Sequence, residues 1–301
     1  MIEKAQTLSF SSRIRACGNV LATCLELTKP RLTLLSVLSA LLGFYLGSDG
    51  PVDGSRMLHL FCGAFLIGGG ANAFNQFFER DTDARMRRTE KRPLPSGRLT
   101  EEQAFNFGLI ISVTGIMELL IFVNALASIL SVLILTSYVF FYTPLKRKTP
   151  LSTLVGAVPG ALPPVLGWAA ARGSLGREPL VLFLIIFFWQ MPHFLAIAWM
   201  YREDYRNAGF PLLATRDEQA VKTARQITGY SFALLSVSVL PAVLGIAGGI
   251  YLAAALAFGG LFLWAGLSRS RWGANRYTRW CFLASILYLS LLMLVMMVDK
   301  Q

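Results

Sequence analysis

The sequence predicts an all-α membrane protein, a bundle of nine transmembrane helices, and three observations carry that prediction. Hydrophobic residues make up 54% of the 301-residue chain and charged residues only 15%, with a mean hydropathy of +0.54. That balance lies well beyond an ordinary soluble domain. Nine apolar runs approach or reach the roughly 20 residues that a helix needs to cross a bilayer. Lysine and arginine then fall almost wholly on alternate connections between those runs, as short cytoplasmic loops require.

The arm 1–30 has no apolar stretch of its own, and Glu3 interrupts its basic character. It reads as neither a cleaved signal nor a transit peptide. Within it Ile14, Val20, Leu21 and Leu25 form an amphipathic pattern that fits a helix lying at the membrane surface over 7–30. The first run, 32–46, then acts as the insertion signal. The second, 57–78, is rich in glycine and ends in a dense charged segment. Runs 104–123 and 126–141 leave almost no loop between them, so they predict a tight helical hairpin. Runs 154–171 and 180–200 follow. Runs 227–244 and 246–267 predict a second tight hairpin, and 280–298 is the ninth span before Asp299, Lys300 and Gln301. The whole chain, 1–301, is expected to form a single polytopic domain.

Basic residues number five before the first run, seven after the second, three after the fourth, five after the sixth and four after the eighth, which is 24 of 28. This predicts a cytoplasmic N-terminus and a short tail on the other side. The net charge of +11 follows from topology and from phosphate chemistry. No aromatic interleaving points to nucleic acid. Cys17, Cys24, Cys62 and Cys281 are scattered without CxxC spacing, so neither a zinc site nor a disulfide framework is indicated. The arm is short for a transit peptide, which favours the bacterial inner (plasma) membrane, with the mitochondrial inner membrane as the alternative.

Function concentrates between Asn72 and Thr100, where eleven charged residues close the second run. Asn75, Glu79 and Asp83 recur every four residues, which aligns three oxygen ligands on one helix stripe about 6 Å of rise apart. Arg80, Arg85, Arg87, Arg88, Lys91 and Arg92 crowd around them. Oxygen ligands for a hard cation beside donors for a polyanion suit a Mg²⁺-diphosphate complex. Tyr142, Lys146, Arg147 and Lys148 stand where the fourth helix leaves the same face, and they could clamp a phosphate. The sixth run carries Trp189, Gln190 and His193 and ends in Tyr201, Glu203, Asp204 and Tyr205. Asp204 offers a second acidic corner.

These residues resemble the UbiA superfamily of intramembrane prenyltransferases, and within it the branch that farnesylates haem. Asn75-x-x-x-Glu79-x-x-x-Asp83 is similar to the superfamily's first acidic motif, with glutamate in the middle position as in the haem branch. So are Met86-x-Arg88-Thr89-x-x-Arg92-Pro93-Leu94-Pro95-x-Gly97, Tyr142-Thr143-x-Leu145-Lys146-Arg147, Gly160-Ala161-x-Pro163-Pro164-x-x-Gly167 and Trp189-Gln190-x-Pro192-His193-Phe194. Ser152 stands where the family tends to carry asparagine, and Tyr201-x-x-Asp204-Tyr205 is a reduced second acidic motif.

The resemblance implies transfer of the farnesyl group of farnesyl diphosphate to a vinyl group of haem B, giving haem O and free diphosphate. It assigns Mg²⁺ to Asn75, Glu79 and Asp83 with Asp204 as the second corner. The diphosphate falls to Arg80, Arg88, Arg92, Lys146, Arg147 and Tyr142. Gly68, Gly69, Gly70, Gly156 and Gly160 would pack closely around the prenyl channel. Haem A synthase or a terminal oxidase assembly would be the protein partners. His193 is open to two readings, a haem-iron ligand or a helix-to-helix hydrogen bond beside Pro192. Trp189, Gln190 and Tyr201 are the remaining haem candidates, although aromatic residues at a helix exit also form interfacial belts. A prenyltransferase for a quinone precursor or lipid, and a transporter, remain the alternative functions.

Overall fold

The computed structural model describes residues 20–268 and 273–301. Among the described residues nine helices are long and apolar enough to cross a membrane: α1 (Pro30–Gly47), α2 (Gly54–Asp83), α3 (Glu101–Phe122), α4 (Ala125–Leu145), α5 (Ser152–Arg172), α6 (Glu178–Met200), α7 (Val221–Val243), α8 (Gly249–Leu267) and α9 (Ala274–Val298). All nine expected spans are present. Their ends lie beyond the apolar runs where polar caps satisfy the free N–H groups of a first turn. Asp53 accepts from the Arg56 backbone N–H before α2. Thr100 and Gln103 form a reciprocal capping box before α3. Asn124 accepts from Ala127 N–H at 2.8 Å, and its amide donates to the Ala169 carbonyl at 2.9 Å. It therefore turns the predicted α3–α4 hairpin and ties it to α5.

Residues 20–27 are helical, with Val20, Leu21 and Leu25 exposed while Cys24 and Leu27 are buried. The helix expected over 7–30 ends at Leu27, and its residues 7–19, Ile14 and Cys17 included, lie outside the described residues. Cys24, Cys62 and Cys281 are free thiols.

Consecutive helices pack side by side, and α1 also crosses α5 while α6 packs on α9. Glycine makes the closest of these approaches possible. A Cβ on Gly43 would fall on the Pro164 carbonyl and one on Gly167 on the Ala40 carbonyl, so α1 and α5 meet backbone to backbone. The glycines in α2 and α5 also sit at close approaches. A Cβ on Gly68 would lie 2.9 Å from Thr33, one on Gly69 3.1 Å from Thr28, and one on Gly70 would overlap the Ser112 hydroxyl. Gly156 seats the Tyr142 ring and Gly160 the Gln190 amide. These glycines let neighbouring side chains and helices approach closely.

Up-and-down connectivity brings the start of α1 and the ends of α2, α4 and α6 to one face of the bundle. The other face holds a cavity of about 250 Å³ lined in part by Asp49, Arg172 and Lys300. Lys300 donates to the Tyr45 and Ser48 carbonyls at 2.7 and 2.6 Å there. That links the end of α9 to the end of α1, far from the acidic stripe.

Candidate active site

The stripe on α2 is interior. Asn75, Glu79 and Asp83 retain only 4%, 2% and 3% of their exposure, so they are not solvated residues at a helix end. A buried carboxylate needs a partner, and each stripe residue has a cation from a different segment. Lys29, just before α1, donates to Asn75 Oδ1 at 3.3 Å. Lys146, just after α4, reaches both Glu79 carboxylate oxygens at 3.1 and 3.0 Å. Arg92, in the turns after α2, donates to Asp83 Oδ2 at 2.7 Å. Asn75 also donates to Thr143 Oγ1 at 3.4 Å.

Local backbone explains how these cations arrive. The last turns of α4 form a six-residue π-helical segment, Ser137–Tyr142, and such segments shift the phase of the residues that follow. They set Tyr138 and Tyr142 against each other, ring centroids 5.2 Å apart, and bring Lys146 over Glu79. After α2, the chain winds through tight turns in which Thr89 Oγ1 donates to the Asp83 carbonyl at 2.8 Å, with Met86, Thr89, Leu94 and Leu99 buried. Arg92 is thereby folded back onto the helix it follows. Lys29 takes a left-handed backbone, φ 47°, immediately before Pro30, which opens α1.

The cations share one field. Burial lowers the Lys29 ammonium to about 7, and the Arg92 charge pushes the same way. Burial would lower Lys146 as well, but the Glu79 carboxylate outweighs it and holds Lys146 above its ordinary value. Arg88 lies over Tyr201 at 5.2 Å and donates to the Tyr205 hydroxyl at 3.4 Å. This draws the half-buried Asp204, on the helix Arg202–Asn207, to the same face. Lys146 also sits 4.9 Å over the Phe210 ring.

Two of the expected diphosphate residues are directed elsewhere. Successive helix residues point about 100° apart, so with Glu79 facing inward Arg80 must face sideways. It pairs with Glu101 at 2.8 Å and lies over Phe77. Arg147 is exposed and donates to the Phe78 carbonyl at 2.7 Å on the outer side of α2. Lys29, by contrast, stands against the stripe, with Nζ 3.3 Å from Asn75 Oδ1. Its signal was available in the sequence, since a lysine before a helix-opening proline stands at the membrane surface.

Among the haem candidates, Gln190 is buried and donates to the Ala157 and Ile186 carbonyls, both at 3.2 Å, so its amide joins α6 to α5. Tyr201 belongs to the Arg88 contact. Trp189 donates to the Ser285 carbonyl at 2.6 Å, and His193 Nδ1 lies 2.8 Å from Ser285 Oγ.

No group of three or more His, Cys, Asp or Glu converges among the described residues. A divalent ion here would have two carboxylates and one amide oxygen from α2. That all-oxygen set suits Mg²⁺, which commonly completes its shell with water and substrate phosphate. A family model described as the UbiA prenyltransferase family matches residues 36–292. The chain belongs to the UbiA prenyltransferase family. It is 45% identical over 285 residues to a protoheme IX farnesyltransferase of Solibacter usitatus, covering 92% of this chain and 98% of that one. A protein of the same name from Koribacter versatilis is 41% identical, covering 91% and 92%. Among solved structures, a digeranylgeranylglyceryl phosphate synthase superposes with a TM-score of 0.78 at 20% identity, over 93% of this chain and 98% of that one. A UbiA homologue of Archaeoglobus fulgidus, solved with GPP and Mg²⁺, superposes at 0.66 and 16% identity, over 91% and 99%. At those identities the UbiA members share the fold with this chain, and nothing further is carried by the superposition.

Proposed function

We infer that this UbiA-family protein transfers the farnesyl group of farnesyl diphosphate to a vinyl group of protohaem IX, forming haem O and releasing diphosphate. The observation that carries the reading is the pairing of Asn75, Glu79 and Asp83 with Lys29, Lys146 and Arg92. Oxygen ligands for a metal and cations for a diphosphate are interleaved there along one helix. The family relationship and the names of its relatives support the acceptor.

Breaking the allylic C–O bond leaves positive charge on the farnesyl group and negative charge on the departing diphosphate. Asn75, Glu79 and Asp83 would hold Mg²⁺, with Asp204 on the same face of the bundle as the second acidic corner, and the ion would neutralise part of that developing charge. Lys29, Lys146 and Arg92 each donate to a stripe residue. These ammonium and guanidinium groups, with Arg88 beside Tyr201 as a fourth donor, would serve the diphosphate oxygens. Fixed donors aimed at the leaving group lower the barrier without reorganising at the moment of reaction. The haem vinyl group attacks the farnesyl carbon, and water then adds to the resulting cation, losing a proton to leave the product hydroxyl.

The positive-inside distribution supports an orientation with this face toward the cytoplasm, and the short arm, a poor transit peptide, favours the bacterial inner membrane. Haem A synthase or a terminal oxidase assembly is the class of partner suited to receive the product. Purified protein incubated with haem B, farnesyl diphosphate and Mg²⁺ should yield haem O by mass spectrometry. Consumption of farnesyl diphosphate with a quinone precursor or lipid, and none with haem, would refute the acceptor.

A further inference from the structure

His193 is one of two histidines in the chain and lies inside the apolar length of α6. Its ring is fixed on both sides. Trp189 stacks on it at 5.0 Å and 24°, Phe282 of α9 lies across it at 5.0 Å and 33°, and Phe194 meets its edge at 5.7 Å. The other histidine, His59, has its Nδ1 2.8 Å from Glu118 Oε1.

The hydrogen bonds around His193 decide which nitrogen carries the proton. Ser285 Oγ lies 2.6 Å from the Phe282 carbonyl, an acceptor only, so the hydroxyl proton is committed to that bond. Toward His193 Nδ1, at 2.8 Å, Ser285 Oγ can therefore only accept. Nδ1 is the protonated nitrogen, and Nε2 carries the lone pair. Nε2 has no hydrogen-bond partner among the described residues, and it is not among their sealed, unsatisfied interior atoms. An imidazole that donates through one nitrogen to a fixed oxygen, and presents the other bare, has the arrangement that orients histidine ligands of metals.

The position suits the acceptor. Tyr201, which meets Arg88 at the diphosphate end, follows His193 by eight residues, or about 12 Å of helix rise. Apolar and aromatic surroundings, with no carboxylate against the ring, suit a neutral imidazole and a flat macrocycle.

We propose that His193 Nε2 ligates the iron of the haem acceptor, with Ser285 as the positioning residue that keeps the lone pair on that nitrogen. The proposal rests on the haem reading above and deepens it. A helix-locking role for His193 predicts something different, since it would not distinguish one porphyrin from another.

The test compares ferric haem B with metal-free protoporphyrin IX, each titrated into the purified full-length protein in detergent. Wild type should bind both, with a histidine-bound Soret and low-field EPR signature for haem. His193→Ala should lose that signature and bind haem at least roughly 10-fold more weakly. Its affinity for the metal-free porphyrin should be unchanged, which also shows that it is folded, and added imidazole should restore the signature. Ser285→Ala should keep the metal-free affinity and weaken haem alone. An unaltered haem spectrum in His193→Ala, or equal losses for both porphyrins in either variant, overturns the proposal and leaves the haem reading standing. If wild type binds neither porphyrin, the haem reading falls and takes the proposal with it.

Discussion

Lys146 Nζ lies 3.1 and 3.0 Å from the two carboxylate oxygens of Glu79, joining the end of α4 to the buried stripe of α2. The pair is enclosed, with Glu79 side-chain exposure at 2% and Lys146 at 16%. Removing one partner of such a pair leaves the other charge buried and alone. Glu79→Gln should therefore lower turnover roughly 100-fold or more and lower the melting temperature as well. Lys146→Met should act in the same direction. Turnover by mass spectrometry and thermal unfolding in detergent measure both, and a Glu79→Gln protein with wild-type activity would remove the stripe from the mechanism.

Asp83 is held by Arg92 at 2.7 Å and takes the third position of the proposed metal set. Asp83→Asn keeps the shape and removes the charge. The Mg²⁺ concentration for half-maximal turnover should rise by roughly tenfold or more, and chelation should abolish turnover in wild type. An unchanged Mg²⁺ requirement would place the metal elsewhere.

Lys29 makes the ligand-free protein pH-sensitive. Its proton leaves at about 7 in the folded protein, against an ordinary value of 10.5 in the unfolded chain. Between those values the unfolded chain binds more protons, so this residue makes stability rise with pH. Below about 7 both states are protonated and its cost is fully present; above about 10.5 both are neutral and the cost is gone. In metal-free buffer, the melting temperature of wild type relative to Lys29→Met should climb from pH 7 upward. A constant difference across that range would show that Lys29 is not buried among these cations.

Arg80 and Arg147 should be tolerant. Both are engaged on the outer sides of α2, Arg80 with Glu101 and Arg147 with the Phe78 carbonyl. Exposed pairs of this kind contribute about 0–1 kcal/mol. Arg80→Ala and Arg147→Ala should retain turnover within a few-fold of wild type, whereas Arg92→Ala should not. A collapse of activity in Arg80→Ala would return it to the diphosphate site.

Gly167 tests the crossing of α1 and α5. A Cβ there meets the Ala40 carbonyl, a backbone atom that cannot swing aside. Gly167→Ala should destabilise the bundle by about 1–3 kcal/mol, read as a lower melting temperature. Gly229→Ala, where a Cβ meets nothing within 4 Å, is the control.

The nine spans, both tight hairpins and the alignment of Asn75, Glu79 and Asp83 were determined by the sequence itself, because hydropathy and helical spacing act over a few turns of one segment. The alternation of lysine and arginine between connections is legible for the same reason, since those residues act loop by loop. Which cation meets which carboxylate was decided only by the tertiary structure. Lys29, Lys146 and Arg92 are far apart along the chain and converge only when α1, α2 and α4 pack. Arg80 is adjacent to Glu79 in sequence, yet a helix turns it about 100° away. The glycines likewise declare close packing in the sequence, but only the helix crossings reveal whether backbone, hydroxyl or ring fills the space.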